Sequence, residues 1–207
     1  MTGLIMRNNV AMEDFKNPCS DMPDLLEDKI DSTLLSNSIH YLTGDITESN
    51  IGRAIKWLLY EMCIGEDEKR KHLTLYINST GGDLDSAFAL IDIINQVKNF
   101  HTVQTIGLGS VCSAAFLILT TGSNGYRHAF KNTSMMCHQY TAGFEGKHHD
   151  IKSRFKEVEL SNARMINVLK ENTGLDTRTI KSKLLNATDV WLTAEELVEL
   201  GVADDYI

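Results

Sequence analysis

A strand-like segment that runs through a glycine pair into an apolar helix is the feature that most constrains the fold. Residues 73–78 alternate apolar and polar side chains at the period of a β-strand, and Ser79-Thr80-Gly81-Gly82 follows at once. Beyond the glycines, apolar side chains recur at helical spacing, at Leu84, Ala87, Phe88, Ile91, Ile94 and Val97. A strand, a glycine turn and a helix form a βα unit, which favours a parallel sheet with helices on its faces.

Similar units on both sides extend this architecture. A predicted strand at 39–43 precedes a helix at about 48–63, and a strand at 102–108 leads through Gly109-Ser110 into a helix at about 113–121. The later predicted elements are a strand at 133–139, a hairpin-like segment at 143–146, helices at about 147–172, 176–184 and 194–200, and a strand near Val202. The predicted fold class is therefore α/β with a mainly parallel sheet.

The helix predicted at 147–172 is polar for its length. Its apolar positions form a narrow stripe, made of Ile151, Phe155, Val158, Met165, Ile166 and Leu169. So narrow a stripe cannot bury the whole helix in the core. We expect the helix to project from the core and to pack against another surface.

The first thirty residues differ in composition from the rest. Both prolines, Pro18 and Pro23, lie there among polar and acidic neighbours. This composition predicts a mobile N-terminal arm over residues 1–33, followed by a single domain over residues 34–207.

Composition also excludes several classes of protein. The chain has 43% apolar residues, enough for a full core, and its net charge of −8 opposes binding to a phosphate backbone. The longest apolar run, residues 114–119, is too short to span a bilayer. The four cysteines have no CxxC spacing, and no secretory signal is recognisable. We expect a cytoplasmic protein that binds neither nucleic acid nor membrane.

A serine, a histidine and an aspartate stand where such a fold places catalytic groups. Ser113 begins a helix after a strand and a turn, where free N–H groups and the helix dipole favour a developing negative charge. His138 lies in a predicted strand, and Asp189 comes just before Trp191-Leu192-Thr193-Ala194. A hydroxyl, an imidazole and a carboxylate are the parts of an activated nucleophile, so the sequence predicts a serine hydrolase.

Each of these residues has a plainer interpretation. A buried serine or strand histidine is often satisfied by backbone, and an aspartate before a strand often forms a turn or cap. Ser110 is the rival nucleophile, but it lies in the turn and lacks a helical N–H directly after it, so we favour Ser113. Ser113 also lacks the flanking glycines of an α/β-hydrolase nucleophile elbow.

Two backbone N–H groups complete the predicted site. Glycine lets the backbone approach a ligand closely, so the N–H groups of Gly82 and Ala114 are the predicted oxyanion hole, with a plain turn as the alternative. Gly107-Leu108-Gly109 lacks the third glycine of a dinucleotide fingerprint. Adjacent histidines at 148 and 149 should point apart on a solvated helix face, so we expect no metal and no cofactor in this subunit.

Motifs in chain order carry a resemblance to a known family. They are Leu42-Thr43-Gly44, the segment 76–82, the strand and turn at 105–113, His138-Gln139, Gly143-Phe144-Glu145-Gly146 with the helix after it, Asp189 with residues 191–196, and Gly201-Val202-Ala203-Asp204. Together they resemble the proteolytic subunit of the Clp protease, the ClpP family of serine peptidases, over residues 34–207.

The resemblance implies a crotonase-like α/β fold with Ser113, His138 and Asp189 as the catalytic triad. It further implies heptameric rings, stacked in pairs around a closed chamber and joined by the handle helix after residue 146. An AAA+ unfoldase that consumes ATP would feed polypeptide into that chamber. By analogy with the family, the N-terminal arm over residues 1–33 would be removed by processing. Thr188 stands where the family has an arginine that couples ring stacking to activity, so we expect pairing of rings that is weaker or that uses different contacts.

Two other functions fit parts of the pattern. An acyl-CoA hydratase or isomerase on the same fold also uses paired N–H groups for an oxyanion, but it needs no triad. A catalytically silent ring subunit would have lost triad residues, and all three are present here. The favoured hypothesis is a serine endopeptidase that hydrolyses peptide bonds in unfolded polypeptides.

Overall fold

A mainly parallel sheet forms the centre of the computed structural model, which describes residues 22–63 and 71–207. The described strands are β1 (Ile39–Thr43), β2 (His72–Ser79), β3 (Thr102–Cys112), β4 (Arg127–Ala129), β5 (Ser134–Cys137), β6 (Val190–Leu192) and β7 (Asp205–Tyr206). The main path is β1-β2-β3-β4-β7, while β5 pairs with the far end of β3 and β6 pairs with β5. Only the β5–β6 pair is antiparallel among these ladders, so the predicted α/β class with a mainly parallel sheet is confirmed.

Helices cover the sheet, and their ends follow local capping signals. They are α1 (Met22–Ser36), α2 (Glu48–Cys63), α3 (Leu84–Val97), α4 (Ala114–Thr120), α5 (His148–Thr173), α6 (Thr177–Lys183) and α7 (Ala194–Glu199). The Asp83 side chain accepts a hydrogen bond from the Ser86 N–H at 2.8 Å and so caps α3. Thr193 and Glu196 form a reciprocal capping box at the start of α7.

The hydrophobic core lies between the sheet and these helices. Every residue of α4 is buried, and the strands β2 and β3 contribute fully buried side chains such as Leu75, Ile77 and Val111. In α5 only the second half reaches the core, through Ser161, Met165 and Leu169, whereas Phe155 in its first half is 58% exposed. The first half of α5 therefore lies outside the core, as expected. That this half packs against another surface stays a prediction.

Several elements differ from the predictions. The helix α1 was not predicted, since residues 22–33 were assigned to a mobile arm; the prediction for residues 1–21 lies outside the described residues. The predicted strand at 133–139 is confined to β5, and residues 138–147 form no strand, so the hairpin predicted there is absent. The three-residue strand β4 was missed, and β7 begins after Val202 rather than at it.

An internal ion pair ties β4 to the C-terminal part of the chain. The buried guanidinium of Arg127 donates to both carboxylate oxygens of Asp204, at 2.5 and 2.9 Å, and to the carbonyls of Asn172 and Gly201, at 2.6 and 2.9 Å. Partial burial raises the pKa of Asp204, but the hydrogen bonds and charge of Arg127 outweigh it and hold the pKa below its usual 3.8. Both the guanidinium of Arg127 and the carboxylate of Asp204 therefore have hydrogen-bond partners.

We expect Arg127→Ala to lower the free energy of unfolding by about 3–5 kcal/mol, because it leaves a partly buried carboxylate without its partner. Urea unfolding at a fixed protein concentration measures the change. The matched control is Arg53→Ala, whose ion pair with Asp31 has both side chains exposed, at 66% and 46%. That surface pair is expected to contribute about 0–1 kcal/mol, and equal losses in the two variants would contradict the prediction.

No helix within residues 22–63 and 71–207 combines the length and apolar content needed to cross a lipid bilayer.

Candidate active site

The turn between β3 and α4 presents the hydroxyl of Ser113 at one end of the sheet. Ser113 is the N-cap residue of α4, and its backbone has φ 56° and ψ −122°. A positive φ is costly for any residue other than glycine, and residues held in this way cluster at active sites. This strained strand-to-helix turn resembles a nucleophile elbow, and it forms without the two flanking glycines.

The glycine pair after β2 packs directly against this turn. Gly81 has φ 102°, and a Cβ atom there would lie 2.7 Å from Cβ of Ser113 and 2.8 Å from the carbonyl oxygen of Cys112. No side chain fits in that space. Glycine at position 81 is therefore required by the close approach of the two loops.

The imidazole of His138 lies beside the Ser113 hydroxyl. The Ser113 N–H donates to the carbonyl of Met136 at 2.9 Å, which holds the turn against β5. His138 directly follows β5, and its Nε2 lies 2.8 Å from Oγ of Ser113. At that distance the imidazole can take the hydroxyl proton. The hydroxyl of the rival, Ser110, lies instead 3.3 Å from Sγ of Cys112.

Gly82 and Ala114, whose N–H groups are the predicted oxyanion hole, line one cavity together with Ser113 and His138. Gly82 forms a parallel bridge with Ile46, in which the Ile46 N–H donates to the Gly81 carbonyl and the Asp83 N–H donates to the Ile46 carbonyl, both at 2.8 Å. In such a bridge the N–H of Gly82 itself points away from Ile46. Ala114 is the first residue of α4, so its N–H has no acceptor within the helix.

The cavity at this site has a volume of about 240 Å³. It is lined by the four site residues and by several apolar or weakly polar neighbours, among them Leu84, Leu117, Cys137 and Met165. Burial raises the pKa of the Cys137 thiol to about 12, which favours the protonated sulfur at neutral pH.

The two histidines at the start of α5 lie with their rings side by side. The rings of His148 and His149 stack with centroids 5.4 Å apart, so the prediction that they point apart is wrong. Both side chains are exposed. Within the part of the chain that the structure describes, no cluster of three or more His, Cys, Asp or Glu side chains could hold a metal ion.

A comparison with known families shows the family to which the chain belongs. A family model described as Clp protease matches residues 25–207, which is most of the chain. The chain belongs to the Clp protease family. The match begins inside α1, earlier than the predicted domain boundary at residue 34. Membership in the Clp protease family supports a serine-type peptidase, in agreement with the hydrolase predicted from Ser113, His138 and Asp189.

The third predicted member of the triad, Asp189, lies one position beyond the end of the β5–β6 ladder. In this Clp protease chain the carboxylate of Asp189 is exposed, and among the described residues no hydrogen bond joins it to His138. The antiparallel β5–β6 ladder ends with the pair Cys137 and Val190, so His138 and Asp189 are the next pair in register. Directly opposed Cβ atoms lie about 5 Å apart, so one more ladder pair would bring carboxylate and imidazole together.

Sequence reasoning missed several residues that line the Clp protease cavity. Leu84 was assigned only to the apolar face of α3, although its place directly after the glycine loop is a signal that could have been used. Tyr140, Thr141 and Met165 gave no such signal, because the loop after His138 has no regular structure and α5 is distant in sequence.

Proposed function

We propose that this chain is a serine endopeptidase that hydrolyses peptide bonds in unfolded polypeptides. The observation that carries the proposal is the 2.8 Å contact between His138 Nε2 and Ser113 Oγ at a strained strand-to-helix turn. Paired with an imidazole, a hydroxyl becomes a nucleophile strong enough to attack an amide.

The reaction uses the residues as follows. Ser113 Oγ attacks the peptide carbonyl carbon while His138 takes the hydroxyl proton, and His138 then returns the proton to the leaving amine, which breaks the C–N bond. The N–H groups of Gly82 and Ala114 donate to the oxyanion that forms in between. A water molecule, activated by His138, then hydrolyses the ester on Ser113. Asp189 orients the imidazole and stabilises its protonated form.

An extended substrate is expected to bind as an added strand beside the segment after Gly82. The bridge to Ile46 uses one edge of that segment, so the backbone groups of Gly82 on the opposite edge are free to pair with a peptide. The Gly82 edge borders the cavity that contains Ser113. A peptide paired there would pass its carbonyl groups over the nucleophile.

The same proposal includes assembly into paired heptameric rings that receive polypeptide from an AAA+ unfoldase in the cytoplasm. ATP would be consumed by that unfoldase, and this subunit would need no cofactor. The apolar surface that remains exposed to solvent on a single subunit supports assembly into rings. Phe155 on α5 is 58% exposed, and a groove of about 1080 Å³ beside α1 is lined by Leu26 and Tyr60, which are 59% and 60% exposed. Exposed apolar surface of this extent is typical of interfaces.

Labelling with a fluorophosphonate tests the proposal. The reagent phosphonylates activated serines, so we expect a single adduct on Ser113, located by peptide mass spectrometry, and no adduct in Ser113→Ala. The matched control is Ser182→Ala, an exposed serine on α6, which should label at the parental rate. An adduct on Ser110 instead would overturn the assignment. Absence of any adduct would favour the acyl-CoA hydratase, the isomerase or the silent ring subunit.

A further inference from the structure

A bulge interrupts β3 between the main sheet and the nucleophile turn. β2 and β3 pair regularly as far as Ile77 and Gly107, and the next pair is Ser79 with Val111. One residue of β2, Asn78, therefore stands opposite residues 108–110 of β3. Such bulges bend a strand and re-aim the side chains that follow it.

The bulge coincides with a change of partner strand. Before it, residues 105–107 of β3 pair with β4, and from the last residue of the bulge onward residues 110–112 pair with β5. His138 directly follows β5. The bulge therefore directs the end of β3, and with it Ser113, away from the main sheet and toward the general base His138. The position of Ser113 relative to His138 thus depends on how the bulge is held.

The side chain of Asn78 occupies the gap in the ladder. Its Oδ1 accepts a hydrogen bond from the Ser110 N–H at 3.1 Å, in place of a ladder carbonyl, and its Nδ2 donates to the hydroxyl of Tyr41 at 3.1 Å. Gly109 has φ 63°, and a Cβ atom there would lie 2.7 Å from Oδ1 of Asn78. The amide is therefore held by Tyr41 on one side and fits closely against Gly109 on the other.

We propose that Asn78 is a positioning residue, which fixes the bulge of β3 and thereby holds Ser113 within reach of His138. The inference rests on the proposed function, since it assigns Asn78 to the same reaction. Asn78 does not touch the reacting atoms, and it acts through the Ser110 N–H and the short strand that leads to Ser113. Without the amide, the backbone at the bulge is free to shift. A displacement of about 1 Å at the nucleophile can lower the rate about 100-fold.

The experiment compares Asn78→Ala with the conservative variant Asn78→Asp. A carboxylate still accepts from the Ser110 N–H and can accept from the Tyr41 hydroxyl, so Asn78→Asp should retain most of the parental kcat. Asn78→Ala should lower both kcat and the rate of fluorophosphonate labelling at Ser113 about 100-fold, with little change in KM. The matched control is Thr74→Val, which removes a side-chain hydrogen bond to Gln104 across the same two strands but before the bulge. It should leave kcat unchanged.

Hydrogen exchange gives a readout that does not depend on activity. The amide of Ser110 should exchange faster in Asn78→Ala than in the parental protein, and it should stay protected in Asn78→Asp and Thr74→Val. Gly109→Ala is a second route to the same result, because its Cβ displaces the Asn78 amide. It should lower kcat as Asn78→Ala does, which keeps the test decisive where Asn78→Ala does not fold.

The outcomes separate this inference from the proposed function. If Ser113 labels in the parental protein and the folded Asn78→Ala keeps the parental kcat, the positioning role is wrong and the proposed function stands. A lower melting temperature with unchanged kcat would also overturn it, since that describes a purely structural residue. If the parental protein neither labels nor cleaves peptides, the proposed function fails. The Ser110 exchange rate then decides alone, and an unchanged rate in Asn78→Ala overturns the role of Asn78.

Discussion

Replacing Ser113 by alanine is expected to lower the kcat of peptide hydrolysis by about 10⁶-fold, the size of effect found when a serine nucleophile that works with its base as a unit is removed. Alanine has no oxygen to form the acyl-enzyme, and His138 is then left without a proton to accept. The backbone N–H groups of Gly82 and Ala114 remain, so a small residual rate over water is expected. Turnover of a fluorogenic peptide by purified protein measures the change.

The control for this experiment is again Ser182→Ala, which should turn over the same peptide at the parental rate. The Ser113→Ala protein should also keep the parental particle mass and circular dichroism spectrum, because the loss is chemical rather than structural. Hydrolysis by folded Ser113→Ala at even a tenth of the parental kcat would show that another residue is the nucleophile.

Changing Asp189 to asparagine is expected to lower kcat by about 10⁴-fold, the effect of the same change in a serine protease triad. An asparagine amide can donate where the carboxylate only accepts, so it favours the wrong tautomer of His138 and does not stabilise the imidazolium. In the structure Asp189 is exposed, and the β5–β6 ladder stops one residue pair before His138 and Asp189. The expected loss of kcat therefore requires β5 and β6 to pair one residue further during turnover.

The matched control is Asp205→Asn, which removes an exposed carboxylate on β7 with the same change of charge. Its kcat should stay at the parental value. If Asp189→Asn also keeps the parental kcat, then His138 acts without a carboxylate partner and the active site is a serine–histidine pair. Intermediate loss, shared by both variants, would indicate a general effect of net charge and would contradict the triad.

Elements with strong periodicity could be predicted from the sequence, because their side-chain pattern directly reflects one buried face. The bounds of β1 and α2 were predicted as the structure has them, at 39–43 and 48–63. The approach of Ser113 to His138 followed from the same logic, since each ends or follows a parallel strand and such ends meet at one edge of a sheet. The predicted partner Asp189 follows no such rule, because β6 is a short antiparallel addition.

Other features left no pattern to detect. β4 has three residues and pairs through the backbone, so it offers too few side chains for a period. The helix α1 stays largely exposed on Leu25, Leu26 and Ile30, so its apolar residues resembled those of an unstructured arm. The contact of Asn78 with Ser110 depends on a bulge, and in the sequence Asn78 is only one more polar residue on the outer face of an alternating strand.

The branching of the sheet at β3 separates two properties of the protein that usually change together. The main path β1-β2-β3-β4-β7 contains the Arg127–Asp204 pair, whereas Ser113, His138 and Asp189 adjoin the side branch formed by the end of β3, β5 and β6. Substitutions at exposed positions of the branch, such as Trp191, can therefore change turnover with little effect on resistance to unfolding, whereas buried positions there, such as Val111, affect both. A search for variants with higher heat tolerance could therefore leave the branch unchanged and vary the main path at positions away from Asn78 and the glycine loop after β2.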